Sequence, residues 1–333
     1  MSTTDAAPPL STPLVVGVDL GGTKMAAALV TADGALAGPL ASAPTPARSG
    51  PEAVLDAIAS VVDTVVSAGT HQAPGAPVAV SAVGVGSAGV VNVSTGTIVS
   101  ATDAITGWTG TSVATGVRSR LIAQGYGDMP VHVENDVDAY AGGEAWLGAG
   151  RDAGSVLVVA VGTGVGGSVV INGTTVRGAH YVAGEIGHVP APGAENEMCT
   201  CGRRGHLEAI AAGPQIHRRY LAAGGDPEVA NAFEVEQRAD AGDPIASLVY
   251  RDSAIALGKV LAGVVAVLDP ERVVLSGGLA RAGELWWAPL RETFRAELID
   301  PLADVPLVRA ELGTNAPIIG AARGALSLLG ATA

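Results

Sequence analysis

The stretch LVVGVDLGGTKMAAALVT, residues 14–31, decides the fold. A short apolar run ends in Asp, a Gly-Gly-Thr-Lys turn follows at residues 21–24, and a second apolar run comes after it. This pattern predicts a strand over Leu14–Asp19, a glycine turn, and a second strand over Met25–Thr31. A Walker loop or a dinucleotide fingerprint would lead from its glycines into a helix, so this turn belongs to a different kind of fold.

A similar unit recurs about half a chain later. An apolar run over Ser155–Val161 is followed by a second glycine turn at residues 162–167, and Ser168–Ile171 resumes the apolar pattern. Either glycine cluster alone has a simple steric explanation. Together, with an Asp at the first turn and a Thr at both, they favour two related lobes whose backbone N–H groups bind a phosphate chain between them.

The rest of the chain alternates between helical and strand patterns. The apolar spacing predicts helices over Pro51–Ala68, Asp136–Leu147, Pro244–Leu268 and about Ile318–Leu329, and strands over Val78–Gly86, Val131–Glu134 and Arg272–Leu275. The alternation indicates an α/β protein.

Both cysteines of the chain lie between two histidines in one glycine-rich segment. The spacing of His188, Cys199, Cys201 and His206 suits a tetrahedral zinc ion bound by two nitrogens and two sulfurs. With four protein ligands, such a zinc ion has no open position for a substrate and is therefore structural. The alternative is two buried cysteines beside two ordinary histidines, but this gathering of both cysteines favours the metal.

Composition narrows the class of protein. A length of 333 residues suggests two domains. A net charge of −13 argues against a nucleic-acid surface, and no apolar run is long enough to span a membrane. Residues 1–13 predict a disordered tail without the features of a signal peptide. A metal-binding cysteine pair fits a reducing cytosol, so we expect a cytoplasmic protein.

The chain resembles the ROK family of sugar kinases, within the actin-like ATPase (hexokinase/Hsp70, ribonuclease H-like) superfamily. The resemblance covers about Leu14 to Leu329. Five motifs carry it in the family's order: Asp19-Leu-Gly-Gly-Thr-Lys24, Glu134-Asn-Asp136, Gly162-Thr-Gly-Val-Gly-Gly167, Gly184-Glu-Ile-Gly-His188 and Cys199-x-Cys-Gly-x-x-Gly-His-x-Glu208.

The resemblance implies an α/β fold of two lobes with a central cleft. Residues 14–134 with 314–333 would form the small N-terminal lobe, and residues 135–313 the large lobe with the zinc-binding loop. It suggests a homodimer, with a small sugar and ATP as the binding partners.

The resemblance also assigns roles. Asp136 would be the general base that accepts the proton of the sugar hydroxyl, although Asp at the start of a helix can also be a simple N-cap. The sugar would be bound by Gly89, Thr102, Asn135, Asp136, Glu185, His188 and Glu208. His188 would place one ring nitrogen on zinc and the other on a sugar hydroxyl.

The cofactors implied are ATP, Mg²⁺ and a structural Zn²⁺. Asp19 would hold Mg²⁺ through water. The phosphates would meet the two glycine turns and a third glycine pair, that is Gly21, Gly22, Thr23, Lys24, Gly162, Thr163, Gly164, Gly277 and Gly278.

Two sites depart from the common family pattern. His206 stands where most relatives have a third cysteine, and Ser87-Ala88-Gly89 replaces a common Pro-Gly turn. In the substrate-dependent segment, Thr102-Asp103 is more similar to N-acetylhexosamine kinases than to glucokinases. Asp138 is expected to be solvated, facing away from Asp136.

These observations predict an ATP-dependent kinase for the 6-hydroxyl of N-acetylglucosamine or N-acetylmannosamine. Glucokinase activity is the alternative, and the sequence does not fix whether polyphosphate can replace ATP. Sugar-responsive regulators of this family carry a winged helix-turn-helix before the first strand, and the 13 residues before Leu14 are too few for one. A catalytically silent sugar-binding protein is disfavoured by the presence of Asp19, Asp136 and both glycine turns.

Overall fold

The computed structural model describes residues 13–72 and 79–330. The predicted disordered tail therefore lies outside the described residues, apart from Pro13. The chain forms two compact units, one of Met1–Tyr140 with Pro317–Ala333 and one of Ala141–Ala316. The sequence places these divisions a few residues earlier, after Glu134 and after Gly313.

The first unit is built on a five-stranded sheet in the order β3-β2-β1-β4-β7. Strands β1 and β2 are antiparallel, whereas β1 pairs with β4, and β4 with β7, in parallel. A separate pair, β5 and β6, is antiparallel. The strand bounds are β1 Leu14–Leu20, β2 Lys24–Val30, β3 Ala41–Pro44, β4 Val80–Ser87, β5 Val90–Asn92, β6 Thr97–Ser100 and β7 Val131–Asn135.

Three helices pack in this unit: α1 Pro51–Gln72, α2 Val113–Ala123 and the last helix, α9 Ala316–Ser327. Helix α9 approaches the sheet at two glycines that have no side chain in the way. A Cβ atom on Gly17 would lie 2.0 Å from the Ile318 carbonyl oxygen, and one on Gly84 would lie 1.8 Å from that of Ala321. The C-terminal helix can therefore pack with its backbone against the centre of the sheet.

The second unit repeats the same core pairing. Its sheet has the order β10-β9-β8-β11-β12, with β8 and β9 antiparallel and β8 and β11 parallel. Its strands are β8 Ser155–Val161, β9 Val165–Ile171, β10 Thr174–Thr175, β11 Arg272–Ser276 and β12 Leu307–Arg309. An antiparallel hairpin followed by a parallel strand thus forms the centre of each unit.

Helix α3, Asp136–Leu147, carries the chain from the first unit into the second. The other helices of the second unit are α4 Glu208–Ala211, α5 Gly213–Ala222, α6 Ala232–Asp240, α7 Pro244–Leu268 and α8 Glu284–Glu297. Trp286 and Trp287 are buried where α8 packs on α7. Among the described residues, none of the helices combines the length and the apolar character that crossing a membrane requires.

The observed elements confirm the α/β pattern and revise several bounds. Helices α3 and α7 have the predicted limits, while α1 continues to Gln72 and α9 spans Ala316–Ser327. Strand β9 begins at Val165, because Gly166 and Gly167 pair with β8 as strand residues. Packing requires a glycine at position 167, because a Cβ there would lie 2.7 Å from the Gly184 carbonyl oxygen.

Candidate functional site

The first glycine turn is an ordered, open loop at the end of β1. The Gly21 N–H donates to the Lys24 carbonyl oxygen at 3.1 Å, closing the turn. Thr45 supports it from the side, since its hydroxyl donates to the Gly21 carbonyl oxygen at 2.7 Å and its N–H to that of Thr23 at 2.9 Å. Thr23 and Lys24 are exposed, so the turn can be reached by a ligand.

Asp19 lies on β1 directly before this turn, paired with Ala26 of β2 and Gly86 of β4. Burial raises the pKa of its carboxyl group from 3.8 to about 6, because a carboxylate loses hydration there. A bound divalent cation would favour the ionised form. The position and the chemistry of Asp19 therefore fit the predicted Mg²⁺ contact.

At the start of α3, the side chain of Asn135 caps the helix, and Asp136 is the first helical residue. Asn135 Oδ1 accepts the N–H groups of Val137 at 2.8 Å and Asp138 at 3.2 Å, as an N-cap does. Asn135 Nδ2 donates to the Gly89 carbonyl oxygen at 3.0 Å. The Val137 N–H also lies 2.9 Å from Asp136 Oδ1, which orients the carboxylate. Asp136 is thus the first residue of the helix, and the capping position is occupied by its neighbour.

Gly89 and Thr102 lie in the loops of the same unit. Gly89 has a φ of +99°, and a Cβ there would lie 2.8 Å from the Ser100 carbonyl oxygen, so the turn requires glycine. Thr102 is exposed. Asp138, expected to be solvated, is only 8% exposed, and that expectation is wrong. The side chain of Asp138 is buried by the surrounding fold. Its position on the helix relative to Asp136 does not determine this burial.

The predicted zinc ligands converge in the second unit. One ligand atom from each of His188, Cys199, Cys201 and His206 lies within 4.8 Å of the others. The His188 Nδ1 to Cys199 Sγ distance is 3.7 Å, and that from His206 Nδ1 to Cys201 Sγ is 3.3 Å. Around a tetrahedral zinc ion such pairs are separated by roughly 3.5 Å. The geometry and the donor set therefore both fit zinc.

Short backbone contacts bring these ligands together. The Cys199 N–H donates to the Arg203 carbonyl oxygen at 2.8 Å, and the Gly202 N–H donates back to that of Cys199 at 3.0 Å. Gly202 has a φ of +83°, a conformation that glycine adopts without strain. A further bridge pairs Pro190 with His206. The chain thus returns His206 to the side of the cysteines.

Three predicted sugar-binding residues lie in or beside this cluster: Glu185, His188 and Glu208. His188 uses Nδ1 on the cysteine side, while its Nε2 lies 3.9 Å from the Glu185 carboxylate. Glu208 Oε1 accepts a hydrogen bond from the Thr200 hydroxyl, and its Oε2 accepts the Val165 N–H at 3.1 Å. The predicted zinc-binding loop and the second glycine turn therefore meet at Glu208.

The second glycine turn is assembled from three separate chain segments. The Gly213 N–H donates to the Gly162 carbonyl oxygen at 2.8 Å, and a Cβ on Gly162 would lie 3.7 Å from the Gly278 nitrogen. Gly277 has a φ of +89°, and a Cβ there would lie 2.3 Å from the Val161 carbonyl oxygen. The predicted phosphate residues Gly162, Gly277 and Gly278 are thus brought together by close backbone packing.

A cavity of about 720 Å³ opens beside these glycines, a size typical of small-molecule sites. Its lining includes Gly162, Thr163 and Gly278 together with Asn231, Phe233 and Glu236. The last three were not predicted. The sequence offered one signal for them: Phe233, one of two phenylalanines in the chain, stands near the start of an otherwise polar helix.

Comparison with known proteins gives the same family for nearly the whole chain. The sequence model of the ROK family matches residues 15–327. A glucokinase of Streptomyces coelicolor is 33% identical over 330 residues, covering 93% of this chain and 96% of that protein. An N-acetylmannosamine kinase of Escherichia fergusonii is 32% identical over 308 residues, covering 92% of this chain and 96% of that protein.

A solved structure extends the likeness to the fold. The ROK family glucokinase of Streptomyces griseus, in complex with glucose and AMPPNP, is 30% identical with a TM-score of 0.74, covering 94% of this chain and 99% of that chain. The predicted actin-like ATPase fold of the ROK sugar kinases is thereby confirmed. By sequence and by fold, the chain belongs to the ROK family.

Proposed function

We propose that this protein transfers the terminal phosphoryl group of ATP to the 6-hydroxyl of N-acetylglucosamine or N-acetylmannosamine, with glucose as the second candidate acceptor. Its family and its curated relatives make the chain a sugar kinase. The proposal concerns the acceptor and the residues that carry the reaction.

One observation carries the assignment of the base. Asn135 caps α3, so the local structure does not require Asp136 for that purpose. Asp136 follows directly on β7, at the carboxyl end of a parallel strand, where ligands of α/β proteins commonly bind. The carboxylate accepts the proton of the sugar hydroxyl as that oxygen attacks the phosphoryl group.

The sugar hydroxyls are bound by residues fixed in place by the fold. Glu185 and His188 Nε2 lie 3.9 Å apart and offer an acceptor and a ring nitrogen to adjacent hydroxyls. Glu208, Gly89, Thr102 and Asn135 complete the set. Asn135 Oδ1 accepts two backbone N–H groups and Nδ2 bonds to Gly89, so its contribution is the second N–H of its amide. Zinc, when bound, holds the His188 ring in one orientation.

The phosphate donor is assigned to the glycine turns and the cavity beside them. Backbone N–H groups at Gly162, Thr163, Gly164, Gly277 and Gly278 bind phosphate oxygens, as do those of residues 21–24 in the first unit. Asp19 holds Mg²⁺ through water. The cavity has the volume for a nucleoside, and the related Streptomyces griseus glucokinase was solved with AMPPNP. These observations support ATP over polyphosphate.

The choice of acceptor has one argument on each side. Thr102-Asp103, both exposed in the loop after β6, is more similar to the N-acetylhexosamine kinases. Glucose is favoured by the glucokinase relatives. Identities of 33% and 32% do not separate the two classes. A homodimer stays a prediction from the resemblance, and a cytoplasmic location stays a prediction from the cysteine pair.

A sugar panel with an Asp136→Asn variant tests the proposal. With MgATP, the wild-type protein should turn over N-acetylglucosamine or N-acetylmannosamine with a higher kcat/KM than glucose. Asp136→Asn should lower kcat by about 10²- to 10⁴-fold while sugar affinity changes little, because the proton acceptor is lost and the shape is kept.

Asp128→Asn is the matched control, since Asp128 is a surface residue of the same unit paired with Arg118. That variant should retain wild-type turnover. Undiminished kcat in Asp136→Asn would place the base elsewhere. A higher kcat/KM for glucose would make the protein a glucokinase, and no turnover of any hexose would remove the kinase assignment.

A further inference from the structure

Two residues of α6 line the cavity from neighbouring turns of the same helix. Helix α6 begins after Asn231, whose side chain accepts the Glu234 N–H at 3.0 Å. Phe233 and Glu236 are three residues apart and therefore lie on one face. Phe233 is 65% exposed, so its ring is accessible to a ligand in the cavity. The cavity thus has an open aromatic surface beside a carboxylate.

The Glu236 carboxylate is held in one place by two donors. The hydroxyl of Tyr250, a residue only 2% exposed, hydrogen-bonds to it, and the Gly283 N–H donates to Glu236 Oε1 at 3.3 Å. Burial and then the charge of Glu236 raise the pKa of Tyr250, so this hydroxyl stays protonated as a donor. A carboxylate has about four acceptor positions, and two are left for a ligand.

A fixed carboxylate selects the part of the donor that lies beside it. We have assigned the phosphates to the glycine backbone at Gly162 and Gly278, and Glu236 lines the same cavity. A carboxylate repels phosphate and attracts neutral O–H donors. His217 is less suited to this task, because its Nε2 already lies 2.7 Å from the Val229 carbonyl oxygen. A vicinal diol provides the two donors that Glu236 can still accept.

We propose that Glu236 recognises the ribose of the donor nucleotide, with its carboxylate accepting hydrogen bonds from the 2′- and 3′-hydroxyls while Phe233 contacts the base. This inference rests on the proposed function, in which ATP is the phosphoryl donor. It makes α6 the element that distinguishes a ribonucleotide from a deoxyribonucleotide or a polyphosphate.

Calorimetric titration with ATP, 2′-deoxyATP and 3′-deoxyATP tests this assignment without requiring turnover. Wild-type protein should bind each deoxynucleotide about tenfold more weakly than ATP, because each lacks one hydrogen bond to a charged acceptor. In Glu236→Gln the affinity for ATP should fall to the level of the deoxynucleotides, and the preference for ATP should shrink to about twofold or less.

Two further variants separate ribose recognition from a general effect of charge or folding. Asp240→Asn removes one charge from the same helix, and its charge also acts on Tyr250, yet Asp240 is not among the cavity-lining residues. It should retain the full preference for ATP. Tyr250→Phe keeps Glu236 but removes one of its donors, and it should weaken the preference only in part.

Three results would overturn the inference. The first is equal binding of ATP and both deoxynucleotides by the wild-type protein, and the second is an unchanged preference in Glu236→Gln. The third is a change in the ratio of ATP to ITP affinity in Glu236→Gln with the ribose preference intact, which would assign the carboxylate to the base. Wild-type protein that binds no nucleotide, yet turns over sugar with polyphosphate, would instead remove ATP from the proposed function.

Discussion

Asp19 shows how the surroundings of one residue set its chemistry. The residue ends an apolar strand, and burial raises the pKa of its carboxyl group to about 6. Asp136 stands at the start of α3, with Asn135 as the cap and the Val137 N–H beside its carboxylate. Glu236 is fixed by a buried tyrosine hydroxyl. The three carboxyl groups therefore have different neighbours, and these neighbours are the basis for the different roles we propose for them: cation contact, base and hydroxyl acceptor.

The raised pKa of Asp19 predicts a pH-dependent cost in the free energy of unfolding. Since the folded value of about 6 exceeds the unfolded value of 3.8, the metal-free protein should lose stability as the pH rises from about 4 to 6. At about 1.4 kcal/mol per pH unit, the cost is at most about 3 kcal/mol above pH 6. Asp19→Asn should remove it, and urea unfolding at several pH values measures the difference.

Asp33→Asn is the control, because the pKa of Asp33 is shifted in the opposite direction to that of Asp19. Asp33 is exposed, and the hydrogen bond from Thr31 lowers the pKa of its carboxyl group. That substitution should give no gain in stability at neutral pH.

The affinity of the wild-type protein for MgATP should also fall below pH 6, because a protonated Asp19 no longer attracts the cation. A constant difference between Asp19→Asn and wild type across the whole range would contradict the burial argument.

At the scale of elements, the loop between β10 and α4 is the segment that we expect to depend on a bound metal for its rigidity. Its regular structure is limited to the short 3₁₀ helix Ile186–His188 and the bridges Pro190–His206 and Met198–Arg204. The rest of the loop is held by short-range backbone hydrogen bonds, such as those from the Ala191 N–H to the Gly205 carbonyl oxygen and from the Cys199 N–H to that of Arg203. A metal ion bound by the four converging nitrogen and sulfur ligands would cross-link separate parts of this loop.

Removing one ligand should therefore release the metal and loosen the loop. Cys201→Ser and His206→Asn should each retain much less than one zinc per chain after dialysis against a chelator, whereas the wild-type protein should retain about one. Hydrogen exchange should become faster over residues 184–208, because a zinc-bound loop unfolds when the metal leaves. Elemental analysis and exchange mass spectrometry measure the two effects.

His180→Asn is the matched control for the second variant. His180 is an exposed histidine of the same unit that lies outside the cluster. Its zinc content should equal that of the wild-type protein. Full zinc retention in both ligand variants would show that the four side chains do not hold a metal.

At the scale of the whole molecule, the last helix closes the first unit with residues from the far end of the sequence. Helix α9 lies against β1 and β4 at Gly17 and Gly84, where carbonyl oxygens occupy the space that a side chain would need. These two buried glycines are required by packing, because a backbone neighbour cannot move aside as a flexible side chain can.

Gly84→Ala should therefore destabilise the first unit strongly. The added Cβ would lie 1.8 Å from the Ala321 carbonyl oxygen, so α9 must shift. We expect a loss of about 3 kcal/mol or more in the free energy of unfolding, at the upper end of overpacked cores. Gly38→Ala, where nothing lies within 4 Å, should change it by less than about 1 kcal/mol. Thermal and urea unfolding compare the two, and equal effects would contradict the packing argument.

The sequence by itself determined the elements whose signals are local. Helix α7 has the predicted bounds because Asp243 caps it, Pro244 occupies its first position and Asp269 ends it in a left-handed conformation before Pro270. The order strand, glycine turn, strand and the four predicted zinc ligands were also readable, since residues close in sequence carry these patterns. The order and type of the residues are sufficient to predict an element when the residues that interact in it are also close along the chain.

Only the tertiary structure decided what depends on distant partners. Glu236 becomes a ligand-binding candidate because Tyr250 and Gly283 fix it beside a cavity. Asp138 is buried despite its charge, and Gly167 pairs with β8 as a strand residue at a point where Gly184 leaves no room for a side chain. Burial and close approach are set by which segments meet after folding, and no local pattern contains that information.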